Sequence, residues 1–421
     1  MSVAASARSG TTPAMSPRAR LRSFAEVHRS ISILVGMGIV TVAMVVLPRV
    51  PPLSLLQHES PWFDAFANAG VFVLLAMGLN VVIGLAGLLD LGYAAFFAIG
   101  AYVYAYSNSP FSGVNAPFLP MLVVGAAVAA VFGIALGAPT LRLRGDYLAI
   151  MTLGFGEIVP IVFLNLDTWT QGTNGIAGLY RPEALPVLGE FTAVSPFAYM
   201  VLMAFIVTIA MVLLYRLQDS RVGRAWNAVR EDELAAAANG INTVTTKLLA
   251  FALGATTAGL AGVFSASKLT IVSPDQFYFT VSFTVLAMVI LGGMGNIWGV
   301  AVGAFIVYMI QAVLLKQLNS IKEFLNLPPI DLGPIHFELS KINFLDYQFL
   351  LYGLALVLMM LFRPEGLFPS QRRRRELHIA DELAQPPDED DPAIAGALGE
   401  TPGAEEIFGE DAGPGAPGHD R

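Results

Sequence analysis

Long apolar runs alternate with short polar stretches along most of this chain, and the runs set its architecture before any local motif does. Crossing about 30 Å of hydrocarbon takes a helix of roughly 20 apolar residues. Ten runs approach that length: Ile31–Leu47, Phe66–Gly84, Leu88–Tyr106, Leu119–Ala138, Tyr147–Leu164, Phe197–Tyr215, Leu248–Ser267, Val281–Leu291, Val300–Leu318 and Phe349–Phe362. The eighth is short, and its start reaches back toward Phe277. Three polar stretches are longer than the rest, Pro48–Ala65, Asp167–Pro196 and Asn319–Tyr347, and their Pro, Gly and Asn content predicts ordered loops or short interfacial helices facing an external partner. The pattern predicts an all-α fold, a polytopic transmembrane helical bundle of about ten spans.

Basic residues flank the runs unevenly, and a Lys/Arg excess marks cytoplasmic loops. Arg8, Arg18, Arg20, Arg22 and Arg29 precede the first run, which puts the N-terminus in the cytoplasm. Counting spans forward places Arg142 and Arg144 inside, then Arg216, Arg221, Arg224, Arg230 and Lys247, and finally Arg363 with Arg372, Arg373, Arg374 and Arg375. Both termini are therefore expected to be cytoplasmic. The Gly-rich turn Gly292–Gly299 carries no charge that assigns its side. The basic leader is long and no small-residue cleavage site follows the first run, so that run is expected to be an uncleaved anchor in the plasma membrane.

Composition narrows the class. Hydrophobic residues make up 55% of the chain and charged ones 13%, against about 25% charged in a soluble domain, and the mean hydropathy is +0.64. The 40 glycines and 26 prolines suit bundled spans, where small residues let backbones approach and kinks are tolerated. With no cysteine, disulfides, thiolate metal sites and a cysteine nucleophile are excluded. The net charge of −8 is concentrated after Glu376, in an Asp/Glu/Pro/Gly/Ala tail that cannot bury enough apolar surface to fold. Three regions follow: a basic cytoplasmic leader over residues 1–30, a transmembrane domain over 31–368, and residues 369–421, a basic cluster and then a disordered acidic tail.

One polar segment stands out between two spans: Ser220 to Lys247, SRVGRAWNAVREDELAAAANGINTVTTK, inside the loop of residues 216–247. Glu231, Asp232 and Glu233 open an Ala-rich helix (Leu234 to Ala238), where carboxylates favour the positive end of the dipole, and Gly240 closes it in a left-handed conformation. Such a segment either merely connects two spans or receives a soluble partner. Polar groups inside spans are costly and mark candidate function. Asp90 and Tyr93 start the third run, Asp90 as a gate or as an interfacial residue. Glu157 lies mid-run in the fifth and needs a cavity or a donor. Thr152 is read as bonding its own helix backbone, and Lys268 and Asp275 as loop charges. Gly292, Gly293 and Asn296 interrupt the eighth run, and Gly295, Gly299 and Gly303 repeat every four residues. A tight turn with close helix packing is the first reading; a broken helix presenting backbone dipoles to a pathway is the second.

Six separated blocks carry a resemblance: GLNVVIGLAGLLDLGYAAFFAIGAY (Gly78–Tyr102), LRLRGDYLAIMTLGFGEIV (Leu141–Val159), SRVGRAWNAVREDELAAAANGIN (Ser220–Asn242), KLLAFALGATTAGLAGVFSA (Lys247–Ala266), LAMVILGGMGNIWGVAVGA (Leu286–Ala304) and RPEGLF (Arg363–Phe368). In this order they resemble the LivM-type permeases of bacterial branched-chain amino acid ABC importers. The resemblance implies a permease subunit, not an enzyme, that moves Leu, Ile or Val inward by alternating access. It implies a coupling role for Arg230, Glu231, Asp232, Glu233 and Gly240, and makes Asp90, Tyr93, Glu157, Gly292, Gly293 and Asn296 pathway candidates. Implied partners are a second homologous permease, two cytoplasmic ATPase subunits, a periplasmic or lipid-anchored solute-binding protein and membrane lipid, with no nucleic acid, cofactor or metal. The chain has no GxxxxGK[ST] phosphate loop, so ATP is expected to bind elsewhere. Ala237, Asn239 and the loop TQGTNGI depart from the family's usual residues. Urea, short amides and aromatic acids remain alternative solutes, and a gradient-driven carrier using Glu157, or a scaffold using the tail, remain alternative classes.

Overall fold

The computed structural model describes residues 29–50, 59–140, 143, 145–184, 189–192, 196–317, 330–332, 335–337, 346–363 and 366–368. The basic leader through His28, Arg142, Arg144 and everything after Phe368, including the arginine cluster and the acidic tail, lie outside the described residues.

Every apolar run carries a helix. We label them α1 (Arg29–Val46), α2 (Glu59–Asn80), α3 (Tyr93–Ser107), α4 (Phe118–Thr140), α5 (Asp146–Asn165), α6 (Phe197–Gln218), then α7 (Arg221–Glu231) and α8 (Glu233–Ala238) in the polar segment, followed by α9 (Thr243–Leu269), α10 (Phe279–Gly292), α11 (Ile297–Met309) and α12 (Gln348–Phe362). With their flanking turns, eight are long and apolar enough to cross a bilayer among the described residues. The other two apolar helices, α3 and α12, have 15 residues each, about 22 Å of helix, which falls short of the hydrocarbon core. Of the ten expected spans, eight thus carry helices long enough to cross and two carry shorter ones among the described residues.

The third run departs most from its expected form. Its helix begins at Tyr93, not Leu88, because Leu88–Gly92 is not helical and bends at Leu91. Gly87 sits at φ +72, a conformation that side chains disfavour, and the Asp90 carboxylate accepts the Gly92 N–H at 2.9 Å in place of a helical carbonyl. The second helix is longer than its run. It starts at Glu59, so the polar stretch to Ala65 is partly helix, and it ends in a π-helical turn, Val81–Leu85. A second π-turn, Ile310–Leu315, follows α11.

Burial separates a centre from a rim. In α2 and α9, 72% and 67% of the most apolar window is buried, against 11% in α1. α9 packs most extensively against α4 and α3, and α2 against α11, α6 and α9. Large apolar side chains on α1, α4 and α12, such as Val42, Val123 and Leu361, are exposed. On helices apolar all round, this is the face that meets lipid.

Close backbone approach builds the centre. A Cβ on Gly100 of α3 would overlap the Gly259 backbone of α9, and one on Gly259 would lie 2.7 Å from the Gly125 carbonyl oxygen of α4. The echo of GLAG at 84–87 and 259–262 therefore joins unlike sites, a π-turn and a helix crossing. Away from the helices, Ile176–Ala177 pairs antiparallel with Ile271–Val272, and Ile330–Leu332 with Ile335–Phe337.

Gly259→Leu should lower the thermal midpoint of the detergent-purified protein, at a cost of about 1–3 kcal/mol for overpacking. Gly38→Leu, on α1 with no atom within 4 Å of a new Cβ, should change stability by less than about 0.5 kcal/mol. Thermal unfolding of both variants by fluorescence measures the difference.

Candidate functional site

The polar segment between α6 and α9 is two helices, not one. Ser220 caps α7, its Oγ accepting from Val222 N at 3.2 Å and Gly223 N at 3.4 Å. Asp232 interrupts it. In an extended conformation, it ends α7 and caps α8, accepting from Leu234 N at 2.8 Å and Ala235 N at 3.0 Å. Gly240, at φ +83, closes α8 in the left-handed form expected of it. Its N–H donates to Ala237 O and that of Ile241 to Ala236 O, the paired bonds of a Schellman end.

The inner face of this segment is bonded to the bundle. Gly223, Trp226 and Val229 form a buried stripe on α7, spaced as one helical face requires. The Trp226 indole donates to Thr246 O at 2.7 Å, at the start of α9. Buried Lys247 pairs with Glu233 at 2.7 Å. Arg230 donates to the Gly84 carbonyl in the π-turn of α2, and its stem packs against Gly87, where an added Cβ would lie 2.6 Å from Arg230 Cγ. The outer face carries Glu231, Asp232 and Leu234, all exposed, with Leu234 71% accessible. Leu234 escapes a reading based on charge; its only signal is an apolar residue on a short polar helix.

The π-turn joins this segment to the Gly-rich turn. Asn80, fully buried, accepts the Gly295 N–H at 2.8 Å, and a Cβ on Gly84 would lie 2.6 Å from Gly295 N. Arg230 and the turn that holds Gly292, Gly293 and Asn296 therefore meet through Asn80 and Gly84. That turn is tight and its helices pack closely: a Cβ on Gly292 would lie 2.7 Å from Gly299 O, and one on Gly299 the same distance from Gly292 O. The segment after α12 seals it. Leu367 N donates to Leu291 O at 2.9 Å, Phe368 N to Gly292 O at 3.2 Å, and Asn296 Nδ2 to Phe368 O at 3.0 Å. These bonds satisfy carbonyls that the end of α10 leaves open.

The remaining candidates cluster where α3 and α10 begin. Glu157, midway along α5, accepts the Phe279 N–H at 3.2 Å, so its carboxylate meets the first orphan donor and the positive end of α10. Its expected donor is thus a helix N-terminus. Asp90 is 2% exposed; Oδ1 bonds Gly92, and the buried Oδ2 has no hydrogen-bond partner. Thr152 donates to Ala149 O at 3.1 Å within its own helix, as expected, and also accepts Leu91 N at 3.0 Å, pinning the segment before α3 to α5. Tyr93 donates to Gly254 O at 2.8 Å and lies 3.0 Å from Thr257 Oγ1, tying α3 to α9. Ser282 of α10 accepts the Ala94 N–H at 2.9 Å. Lys268 is not a loop charge. It lies within α9, its side chain only 8% exposed, and pairs with Asp64 of α2 at 2.7 Å. Asp275, in a short turn, accepts from the Tyr278 hydroxyl at 3.1 Å. No cluster of three metal-ligating side chains occurs among the described residues.

Residues 63–360 match the model of a family described as branched-chain amino acid transport system / permease component. The chain belongs to this family. Permeases of this kind are multi-pass membrane subunits rather than enzymes. The chain is 37% identical over 327 residues to the high-affinity branched-chain amino acid transport system permease protein LivM of Escherichia coli (strain K12), covering 73% of this chain and 70% of that protein. A probable LivM of Methanocaldococcus jannaschii is 26% identical over 342 residues, 72% of this chain and 91% of that one. The permease LivH of Escherichia coli (strain K12) is 25% identical over 266 residues, 61% and 86% of the two chains. No solved structure matches. The family match takes in α3, all but the end of α12 and the whole α7–α8 segment, so the features that depart from simple spans lie within the permease itself.

Glu157→Leu should destabilise the protein by about 1–3 kcal/mol, the cost of leaving a half-buried donor unmet, while Glu157→Gln, which keeps an acceptor oxygen, should avoid most of that loss. Thermal midpoints of the two variants in micelles decide the matter.

Proposed function

We propose that this permease is one membrane half of an ATP-driven importer that carries leucine, isoleucine and valine inward by alternating access. The observation that carries the reading is the two-faced α7–α8 segment. Its outer face offers Glu231, Asp232 and the exposed Leu234 to a soluble partner, and its inner face is bonded to α2 and α9 through Arg230, Trp226 and the Glu233–Lys247 pair. A push on the outer face reaches the bundle as a rigid-body displacement. Arg230 is then the residue that passes movement to the π-turn, and Gly240 holds the end of α8 in place. On this reading the segment lies in the cytoplasm against a separate ATPase subunit, with both chain termini on the same side.

The likeness to both LivM and LivH proteins supports a second, homologous permease across the pathway. Two ATPase subunits and an external solute-binding protein complete the assembly. Asp90, Tyr93, Gly292, Gly293 and Asn296 bracket α3 and α10, the helices with the most irregular ends, and these are the elements proposed to shift as access alternates. The gradient-driven carrier is disfavoured, because the carboxylate it needs at Glu157 caps α10. Urea, short amides and aromatic acids stay as alternative solutes in the same importer class.

Vesicles holding this chain with its partner permease, ATPases and binding protein should take up labelled leucine only with ATP. The triple change Glu231→Ala, Asp232→Ala, Glu233→Ala should abolish that uptake while the protein still inserts. Arg230→Ala should raise the ATP hydrolysed per leucine imported by about tenfold, the weight of one lost charge-assisted bond. Uptake that persists without ATP would refute the importer reading, and an unchanged ratio in Arg230→Ala would remove its transmitting role.

A further inference from the structure

A polar cavity of about 240 Å³ opens between α2 and the end of α11, lined by Asp64, Asn68, Tyr308, Ala312 and Lys316. It lies at the end of the bundle opposite the α7–α8 segment. Asp64 is near the start of α2, whose other end meets Arg230, and Lys268 is near the end of α9, whose start meets Glu233. If α7–α8 faces the ATPase, this cavity faces the side from which solute arrives.

The cavity wall is built to hold charge. Lys268, buried behind it, pairs with Asp64 Oδ1 at 2.7 Å and donates to Asn68 Oδ1 at 2.5 Å, while Asn68 Nδ2 donates to Asp64 Oδ2 at 3.1 Å. Two side chains, one on α2 and one on α9, thus fix the Asp64 carboxylate, which remains 53% exposed. On the facing helix, Lys316 and Tyr308 supply an ammonium and a hydroxyl. A structural ion pair alone needs no polar cavity beside it. The volume is below the roughly 300–1,000 Å³ of pockets that enclose a whole drug-sized ligand, so only the head of a small solute enters.

We propose that this cavity is an entry site for the zwitterionic head group of an α-amino acid: Asp64 receives the α-ammonium, Lys316 the α-carboxylate, and Asn68 and Tyr308 bond to either. Lys268 is a positioning residue that holds Asp64 in place. The inference rests on the importer reading and deepens it, because urea and simple amides carry neither charge that Asp64 and Lys316 would recognise. The site reads the head group and leaves the side chain outside, so it admits leucine, isoleucine and valine alike.

The test uses the complete reconstituted importer, with labelled leucine and assembly followed by co-purification. Asp64→Asn and Lys316→Gln should each lower leucine uptake about tenfold or more, as the loss of one charge-assisted contact implies, with the complex still assembled. The exchange Asp64→Lys with Lys268→Asp keeps an ion pair of reversed polarity; it should keep normal assembly and yield but lose uptake. Recovery of uptake in the exchanged variant would show a structural staple and overturn the proposal, as would normal uptake in both single variants. A wild-type importer that moves urea and no amino acid would overturn the importer's substrate reading and this site with it.

Discussion

Inside a bilayer a backbone N–H or C=O without a partner costs several kcal/mol, so each place where a helix stops short within this bundle must be supplied from elsewhere. Three such places organise the molecule: the non-helical segment before α3, the start of α10 and the turn between α10 and α11. The first is met by Asp90 and Thr152, the second by Glu157, the third by Asn80 and the backbone after α12. Asp90 acts locally, and every other partner comes from a distant part of the chain, so the interruptions are also its long-range fastenings.

The same arrangement sets long helices apart from short ones. α2 and α9 are mostly buried, and α9 meets α3 and α4 at glycines that bring backbones into contact. α3 and α10 are shorter, and their first turns are held by hydrogen bonds from other helices. The π-turn of α2 touches Arg230 on one side and the Gly-rich turn on the other, so under the proposed function it is where movement of the α7–α8 segment would reach the irregular helices.

Much of the candidate site was legible residue by residue, because charge or a helix breaker in an apolar run has few explanations. Glu157 needed a cavity or a donor, Gly240 was expected to end a helix, and Ser220–Lys247 was expected either to connect two spans or to receive a soluble partner. Other features were not legible for a physical reason: they depend on which helices meet. Lys268 reads as a loop charge until α2 brings Asp64 beside it, and Asn80 looks like one polar residue in a run until it is found against Gly295. Leu234 carries no pattern, since a single leucine on a short helix has no periodicity.

Hydrophobic run length by itself determined that the chain is a helical membrane protein and roughly where each helix lies, since the bilayer sets one length that every span must approach. The order of the six motif blocks determined the family. Only the tertiary structure decided that α3 begins five residues late, that the polar segment breaks at Asp232, and that Arg230 turns inward while Glu231 faces out. Run length responds to the solvent, which is the same everywhere along a span, whereas helix ends and side-chain partners are set by neighbours distant in sequence, and no local pattern records them.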